Sequence, residues 1–364
     1  MSLPIRDELR GLSPYGAPQL DVPVKLNTNE NPFSPPQALI DEIARDIAAT
    51  ASTLNRYPDR DATKLREALA AYLTKEAGVE VNADRVWAAN GSNEVMIQIL
   101  QAFGGPGRTA LTFAPTYSMY EEYARDTNTA FAVSDRDEGF GLSVEGVREA
   151  IKKHSPAVVF IANPNNPTGT MTDLKSIIDS VVSEFPNTIF VIDEAYAEFR
   201  RAGVPGAVAS LEGHSNLVVT RTMSKAFAFA GVRVGYLAAS RELIDALMLV
   251  RLPYHLSTVT QTVALTALRY AAELQKDLEV LRGERDSLVN WLRSNGFTAA
   301  ESDANFVLFG HFPDRHAVWQ ALVDRGVLIR EVGPAGWLRV TIGTPTEMQT
   351  FKHALLESLG KVPS

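Results

Sequence analysis

The chain has 364 residues, 45% apolar and 21% charged, with a net charge of −8 and no cysteine. That is enough chain for a large core with a smaller unit attached, while the acidic balance argues against a nucleic-acid partner and the missing cysteines exclude disulfides and thiolate metal sites. Met1 to Arg10 carries Arg6, Asp7, Glu8 and Arg10 without an apolar stretch, so it is not a secretory signal, and apolar runs such as Ala157 to Ala162 are too short to span a bilayer; the expectation is a cytoplasmic protein with no membrane partner.

Residues 1–36 are rich in proline and contain the polar run Lys25-Leu26-Asn27-Thr28-Asn29-Glu30-Asn31-Pro32. Such a terminus is either a solvated arm or an arm that folds over a site and supplies side-chain amides. The spacing of Leu39, Ile40, Ile43 and Ile47 predicts a helix over 37–50. The turn Asn55-Arg56-Tyr57-Pro58-Asp59 follows, then a second amphipathic helix over 62–77. From 85 onward short apolar runs alternate with helical patterns. Strands are expected at 85–89, 109–113, 131–133, 157–162, 188–192, 217–220 and 234–238, with helices at 95–103 and 119–125. After Leu252 the pattern changes. Leu252-Pro253-Tyr254-His255-Leu256-Ser257 breaks the chain, and a long helical pattern runs from Val259 to Leu292. Short strands at 305–309, 327–330 and 337–342 surround a helix at 316–325, before a closing helix bearing Met348, Phe351, Leu355, Leu356 and Leu359. The expected organisation is an arm (1–36), a large α/β domain (37–252) whose mostly parallel sheet is covered by helices on both faces, and a smaller α/β domain (253–364).

The polar and glycine-rich segments follow the C-terminal ends of the strands, the edge at which open α/β sheets bind ligands. Gly91-Ser92-Asn93 opens a helix, where backbone N–H groups and the helix dipole favour an anion; it reads equally as an ordinary helix start capped by Ser92 or Asn93. Thr222 and Arg233 can complete a phosphate cradle, although Arg233 also suits a surface ion pair. Asp193 ends a strand, as partner of a protonated ring nitrogen, as a helix cap or as a metal ligand. Asn166 offers an amide or shapes a tight turn, Tyr196 can join it in bonding one ring oxygen, and Tyr117 can stack on a ring. Lys225 lies between Ser224 and the largely apolar run from Ala226 to Ala230. It is either a surface lysine or a buried amine of depressed pKa suited to Schiff-base chemistry.

Asn165-Asn166-Pro167-Thr168-Gly169, Asp193-Glu194-Ala195-Tyr196 and Ser224-Lys225 through Arg233 resemble the signature of the fold type I pyridoxal-phosphate-dependent aminotransferases. The arm Leu26-Asn27-Thr28-Asn29-Glu30-Asn31-Pro32, the turn Asn55-Arg56-Tyr57-Pro58, Pro115-Thr116-Tyr117-Ser118-Met119-Tyr120 and Leu338-Arg339-Val340-Thr341-Ile342-Gly343 are similar to the branch of that family acting on histidinol phosphate. Relatives acting on aromatic amino acids such as phenylalanine share much of this pattern, and an amino-acid-phosphate decarboxylase is a further activity of the same scaffold. The resemblance implies pyridoxal 5'-phosphate as cofactor, carried by Lys225 in a Schiff-base linkage. Asp193 would hold its ring nitrogen, Asn166 and Tyr196 its phenolic oxygen, Tyr117 its ring face, and Ser92, Asn93, Thr222 and Arg233 its phosphate. Tyr57 would reach that phosphate from the other subunit of a homodimer with shared active sites. Arg339 would bind the carboxylate of glutamate, and Arg330, Tyr15, Asn29 and the other subunit's Tyr254 would serve the second substrate; for these four, core packing and surface pairing are the alternatives. The implied reaction exchanges an amino group between glutamate and the phosphorylated ketone that yields histidinol phosphate, a step of histidine biosynthesis. Ala114-Pro115 and Asn166-Pro167 are marked by the resemblance as candidate cis bonds.

Overall fold

The chain, as a computed structural model, is described over residues 3–360; positions 1–2 and 361–364, the outermost parts of the expected arm and small domain, lie outside the described residues. The arm contributes one short strand, β1 (Val24–Lys25). Seven strands then build the central sheet: β2 (Val86–Ala89), β3 (Thr109–Ala114), β4 (Ala130–Asp135), β5 (Val158–Ala162), β6 (Ile189–Asp193), β7 (Leu217–Thr222) and β8 (Gly235–Ala238). Their order is β2-β8-β7-β6-β5-β3-β4, with β8 antiparallel to both neighbours and every other pair parallel. The architecture is the expected mostly parallel sheet between helices.

The alternation of side chains explains why both faces are covered. Val159, Ile161, Phe190, Ile192, Leu217 and Val219 enter one core, with Leu39, Leu65 and Leu69 from the helices Gln37–Thr50 and Thr63–Ala77. Val158, Phe160, Val191 and Val218 point the other way, toward Val95, Ile99, Tyr120 and Leu247. A strand buried on both faces must be apolar throughout, and β5 is buried along its whole length. Helices at Val144–His154, Leu174–Val181 and Arg241–Val250 add to those read from the sequence; Ser143, Asp173 and Ser240 cap them through side-chain bonds to Gly146, Ser176 and Leu243 N–H.

The smaller core is built on β9 (Thr298–Ala299), β10 (Phe306–Gly310), β11 (Val327–Leu328) and β12 (Trp337–Thr341), with β10 between β9 and β12 and antiparallel to both. The arm is not wholly irregular, because β1 pairs in parallel with β11, Val24 opposite Val327 and Lys25 opposite Leu328. The helix Thr258–Arg269 buries Val263, Ala264 and Ala267 in the core under the large sheet, as does Leu274, whereas Leu278, Leu281, Leu288 and Leu292 belong to the small core. The change of core therefore falls between Leu274 and Leu278, not at the chain break near Leu252. Ala114–Pro115 and Asn166–Pro167 are cis, and so is Asn163–Pro164, which the sequence reading did not single out. Among the described residues no helix is long and apolar enough to cross a membrane.

Candidate active site

A cavity of about 490 Å³ opens at the C-terminal edge of the large sheet, and every residue expected in the site except Tyr57 and Tyr254 lines it. The order of the elements dictates this. Ser92 and Asn93 follow β2, Tyr117 follows β3, Asn166 follows β5, Asp193 ends β6 with Tyr196 just beyond, and Thr222 ends β7. Lys225 and Arg233 lie in the link from β7 to β8. Tyr15 and Asn29 come from the arm. Arg339 lies on β12, and Arg330 is bridged to it, its N–H donating to the Arg339 carbonyl at 2.9 Å.

In the cavity wall an open helix start, hydroxyls and an arginine come together. The helix Ser92–Phe103 begins at Gly91, not at a capping Ser92 or Asn93, and no side chain caps it, so its first N–H groups are open to a ligand. Gly91 has φ +82° and a Cβ there would meet Arg233 Nη2 at 2.7 Å; a Cβ on Gly235 would lie 2.1 Å from Ser92 N. Only glycine allows backbone, guanidinium and helix start to converge so closely. Thr222 Oγ1 donates to Ser224 Oγ at 3.0 Å, and Arg233 Nη1 donates to the same hydroxyl at 3.3 Å. Arg233 has no ion pair among the described residues, so its charge is available to an anion.

The middle of the cavity carries a buried carboxylate. Asp193 accepts from Tyr120 Oη at 2.8 Å, Ala195 N–H at 3.2 Å and Thr220 Oγ1 at 3.3 Å. Burial pushes its carboxyl above the usual carboxylate range, and these three donors oppose that rise. Tyr196 Oη accepts from Asn29 Nδ2 at 2.9 Å and has no protein acceptor for its own proton among the described residues. Lys225 Nζ donates to the Thr28 carbonyl at 2.9 Å. Burial pulls its pKa down to about 8; the Arg339 and Arg233 charges act in the same direction, and Glu30 opposes them. The lysine thus lies in the cavity wall, half-buried, rather than on the open surface.

The far end presents arginine. Arg339 Nη1 donates to Asn166 Oδ1 at 2.6 Å and Nη2 to the Asn27 carbonyl at 2.8 Å, while Nε is buried without a partner. Its guanidinium lies 5.0 Å from the Phe306 ring centroid and has no carboxylate among the described residues. A buried cation with an unsatisfied donor is poised for an anionic ligand. Burial lowers its pKa to about 10. Arg330 reaches the Gly16 carbonyl of the arm at 3.3 Å, and Tyr15 Oη accepts from Ser118 Oγ at 3.1 Å.

Tyr57 and Tyr254 stand outside this cavity. Their rings stack at 4.6 Å, and they are 81% and 42% exposed. Asn29 lines the cavity, but its amide is engaged by Tyr196 and Thr341. Two residues of the quoted segments carry no site role in the sequence reading yet bond to site residues: Ser224, which accepts from Thr222 and Arg233, and Tyr120, which donates to Asp193.

The sequence profile described as aminotransferase class I and II matches residues 21–355. The histidinol-phosphate aminotransferase of Thermobifida fusca (strain YX) is 58% identical over 359 residues, covering 99% of this chain and 96% of that protein. The protein of the same name from Frankia casuarinae is 56% identical over 359 residues, covering 98% and 90%. Among solved structures, histidinol-phosphate aminotransferase from Sinorhizobium meliloti in complex with pyridoxal-5'-phosphate shares the fold, with a TM-score of 0.81 at 22% identity over 93% of this chain and 91% of that one. With a profile match over most of its length and full-length relatives identical at more than half of their positions, the chain belongs to the class I and II aminotransferases.

Proposed function

We propose that this aminotransferase works with pyridoxal 5'-phosphate, as a cytoplasmic homodimer, and exchanges an amino group between glutamate/2-oxoglutarate and histidinol phosphate/imidazole acetol phosphate. The observation that carries the cofactor reading is the anion cradle beside Lys225. An uncapped helix start, two hydroxyls and an arginine without an ion pair adjoin a lysine that has no ion pair among the described residues. A phosphorylated aldehyde fits that donor set. The choice of histidinol phosphate is supported by the names of the full-length relatives and by the second arginine, Arg330, at the cavity wall.

Each residue then has a defined task. The N–H groups at Ser92 and Asn93, with Thr222, Ser224 and Arg233, bind the phosphate dianion. Asp193 holds the proton of the ring nitrogen by ion pairing, and that nearby positive charge draws its raised pKa back down. Tyr196, already accepting from Asn29, donates its own proton to the phenolic oxygen, and Asn166 offers its Nδ2. When bound, pyridoxal phosphate supplies an electron sink for the pair left at the substrate Cα. Lys225 Nζ takes and moves the Cα proton, which requires a neutral amine near working pH. Arg339 binds the substrate carboxylate. The exposed stack of Tyr57 and Tyr254, with Leu54, Leu249 and Leu252 exposed beside them in the chain, supports a subunit contact through which the partner's site receives these tyrosines.

Steady-state kinetics test the substrate. With 2-oxoglutarate as acceptor, kcat/KM for histidinol phosphate should exceed that for phenylalanine. A clear preference for phenylalanine would overturn the substrate assignment and leave the aminotransferase activity standing.

A further inference from the structure

Lys225, half-buried in the cavity wall, has one protein acceptor among the described residues. The acceptor is not a carboxylate but the backbone carbonyl of Thr28, at 2.9 Å, far away in the chain. The carboxylate of that segment, Glu30, accepts from Thr28 Oγ1 at 3.0 Å and forms no ion pair with Lys225. The chemical consequence is specific. A carboxylate would hold the amine as ammonium. A neutral carbonyl takes one N–H and leaves the lone pair of an uncharged amine for attack on an aldehyde or for taking a proton.

The position of this carbonyl depends on the next residue. Asn29 has φ +56°, in the left-handed region that non-glycine residues enter at a cost, and it sets the plane of the Thr28–Asn29 peptide. Four hydrogen bonds hold it there. Its N–H donates to Thr341 Oγ1 at 3.0 Å, and its Oδ1 accepts from the same hydroxyl at 2.9 Å. Its Nδ2 donates to Tyr196 Oη at 2.9 Å, and its carbonyl accepts from Asn305 Nδ2 at 3.1 Å. The residue is 1% exposed.

We infer that Asn29 is a positioning residue for Lys225: its left-handed backbone aims the Thr28 carbonyl at Nζ and so orients the lysine amine whenever it is not covalently engaged. This rests on the pyridoxal-phosphate reading above. It assigns Asn29 a backbone role toward the lysine, in place of a side-chain contact with the second substrate.

The two roles predict different outcomes for two variants: a backbone role separates them, whereas a side-chain contact is lost equally in both. Asn29→Gly removes the side chain but keeps the left-handed backbone accessible; Asn29→Ala removes the side chain and disfavours that backbone. In full-length protein stripped of cofactor, the rate at which Lys225 condenses with added pyridoxal 5'-phosphate is followed by the absorbance of the adduct. Asn29→Ala should be about tenfold slower than Asn29→Gly, the scale set by the left-handed penalty of an alanine. Equal slowing of the two, or a slower glycine variant, overturns the inference. Should Asn29→Ala fail to fold, Asn305→Ala decides. It deletes the donor that fixes the Asn29 carbonyl and should slow condensation threefold or more; an unchanged rate overturns the inference. A wild-type chain that forms no adduct overturns the cofactor reading and this inference with it. Adduct formation by wild type with both Asn29 variants equally slow overturns this inference alone.

Discussion

The floor and the lip of the cavity are held in different ways. On the floor, Asp193 and Thr222 sit at the ends of neighbouring strands of one sheet, and their partners are buried with them. Beneath them Arg221, 1% exposed, pairs with Glu194 at 2.7 Å and with Glu198 and Glu76 at 3.2 Å, and Arg200 joins Glu76 at 2.7 Å. Charges this deep are costly unless paired, and removing one partner of such a pair costs about 3–5 kcal/mol. At the lip the arm is held by Ser118 to Tyr15, Arg330 to Gly16 and Arg6 to Asn128 at 3.1 Å. These contacts are exposed, and each is worth about 0.5–1.5 kcal/mol net. The contrast is between chemical groups held by buried partners, the inner arm at Asn27 to Asn29 among them, and an outer arm held only by exposed contacts. Changes on the floor should therefore reach the chemical step, and changes at the lip should reach binding.

The largest effect is expected at Lys225. Lys225→Ala removes the only amine lining the cavity among the described residues and should lower turnover by about 10⁴-fold or more, the upper range for a positioned acid/base. It should also abolish the absorbance of a lysine-bound cofactor. Ordinary transamination by this variant would end the case for a chemically committed floor. A smaller effect on the same side comes from Tyr120→Phe. The Tyr120 hydroxyl favours the ionised form of Asp193, so its loss moves the already raised carboxyl further up. The acid limb of the kcat/KM profile should shift to higher pH, with about a tenfold loss below it, as expected for a hydrogen bond to a charged group. An unmoved limb would mean that Tyr120 only fills space.

The same contrast marks what could be read in the sequence. Floor residues were legible because strand alternation and the C-terminal edge rule place them independently of detail. Asp193, Thr222 and Lys225 follow from where apolar runs stop. Tyr120 was not legible, although it lies in a quoted segment, because its bond to Asp193 spans 73 positions and depends on which face of a short helix meets β6. Ser224 was passed over because its hydroxyl matters only once the turn brings Arg233 back to it. At the lip, β1 is two residues long and too short to carry a period, so its pairing with β11 could not be anticipated. The helix Thr258–Arg269 and the helix Asp277–Ser294 both carry an apolar stripe at helical spacing. Periodicity gives the buried stripe but not which core receives it, so the passage between the two cores was invisible.

The smallest effect is expected at the lip, and it tests the division most directly. Tyr15 is 47% exposed, and its hydroxyl does one thing in this structure, accepting from Ser118 Oγ at 3.1 Å. Tyr15→Phe deletes that acceptor and leaves the ring. An exposed neutral hydrogen bond of about 0.5–1.5 kcal/mol corresponds to a change of about two- to tenfold. If the arm only covers the cavity, the change should appear as a raised KM for the larger substrate with kcat unaltered, because Asp193, Lys225 and the anion cradle share no bond with Tyr15. Unfolding temperature should stay within about a degree, since surface changes of this kind are nearly neutral. A fall in kcat at constant KM would show that the outer arm at Tyr15 also orders the floor, as the inner arm at Asn29 is inferred to do. Asn29, the arm residue tied to Tyr196, would then be the place where the coupling enters.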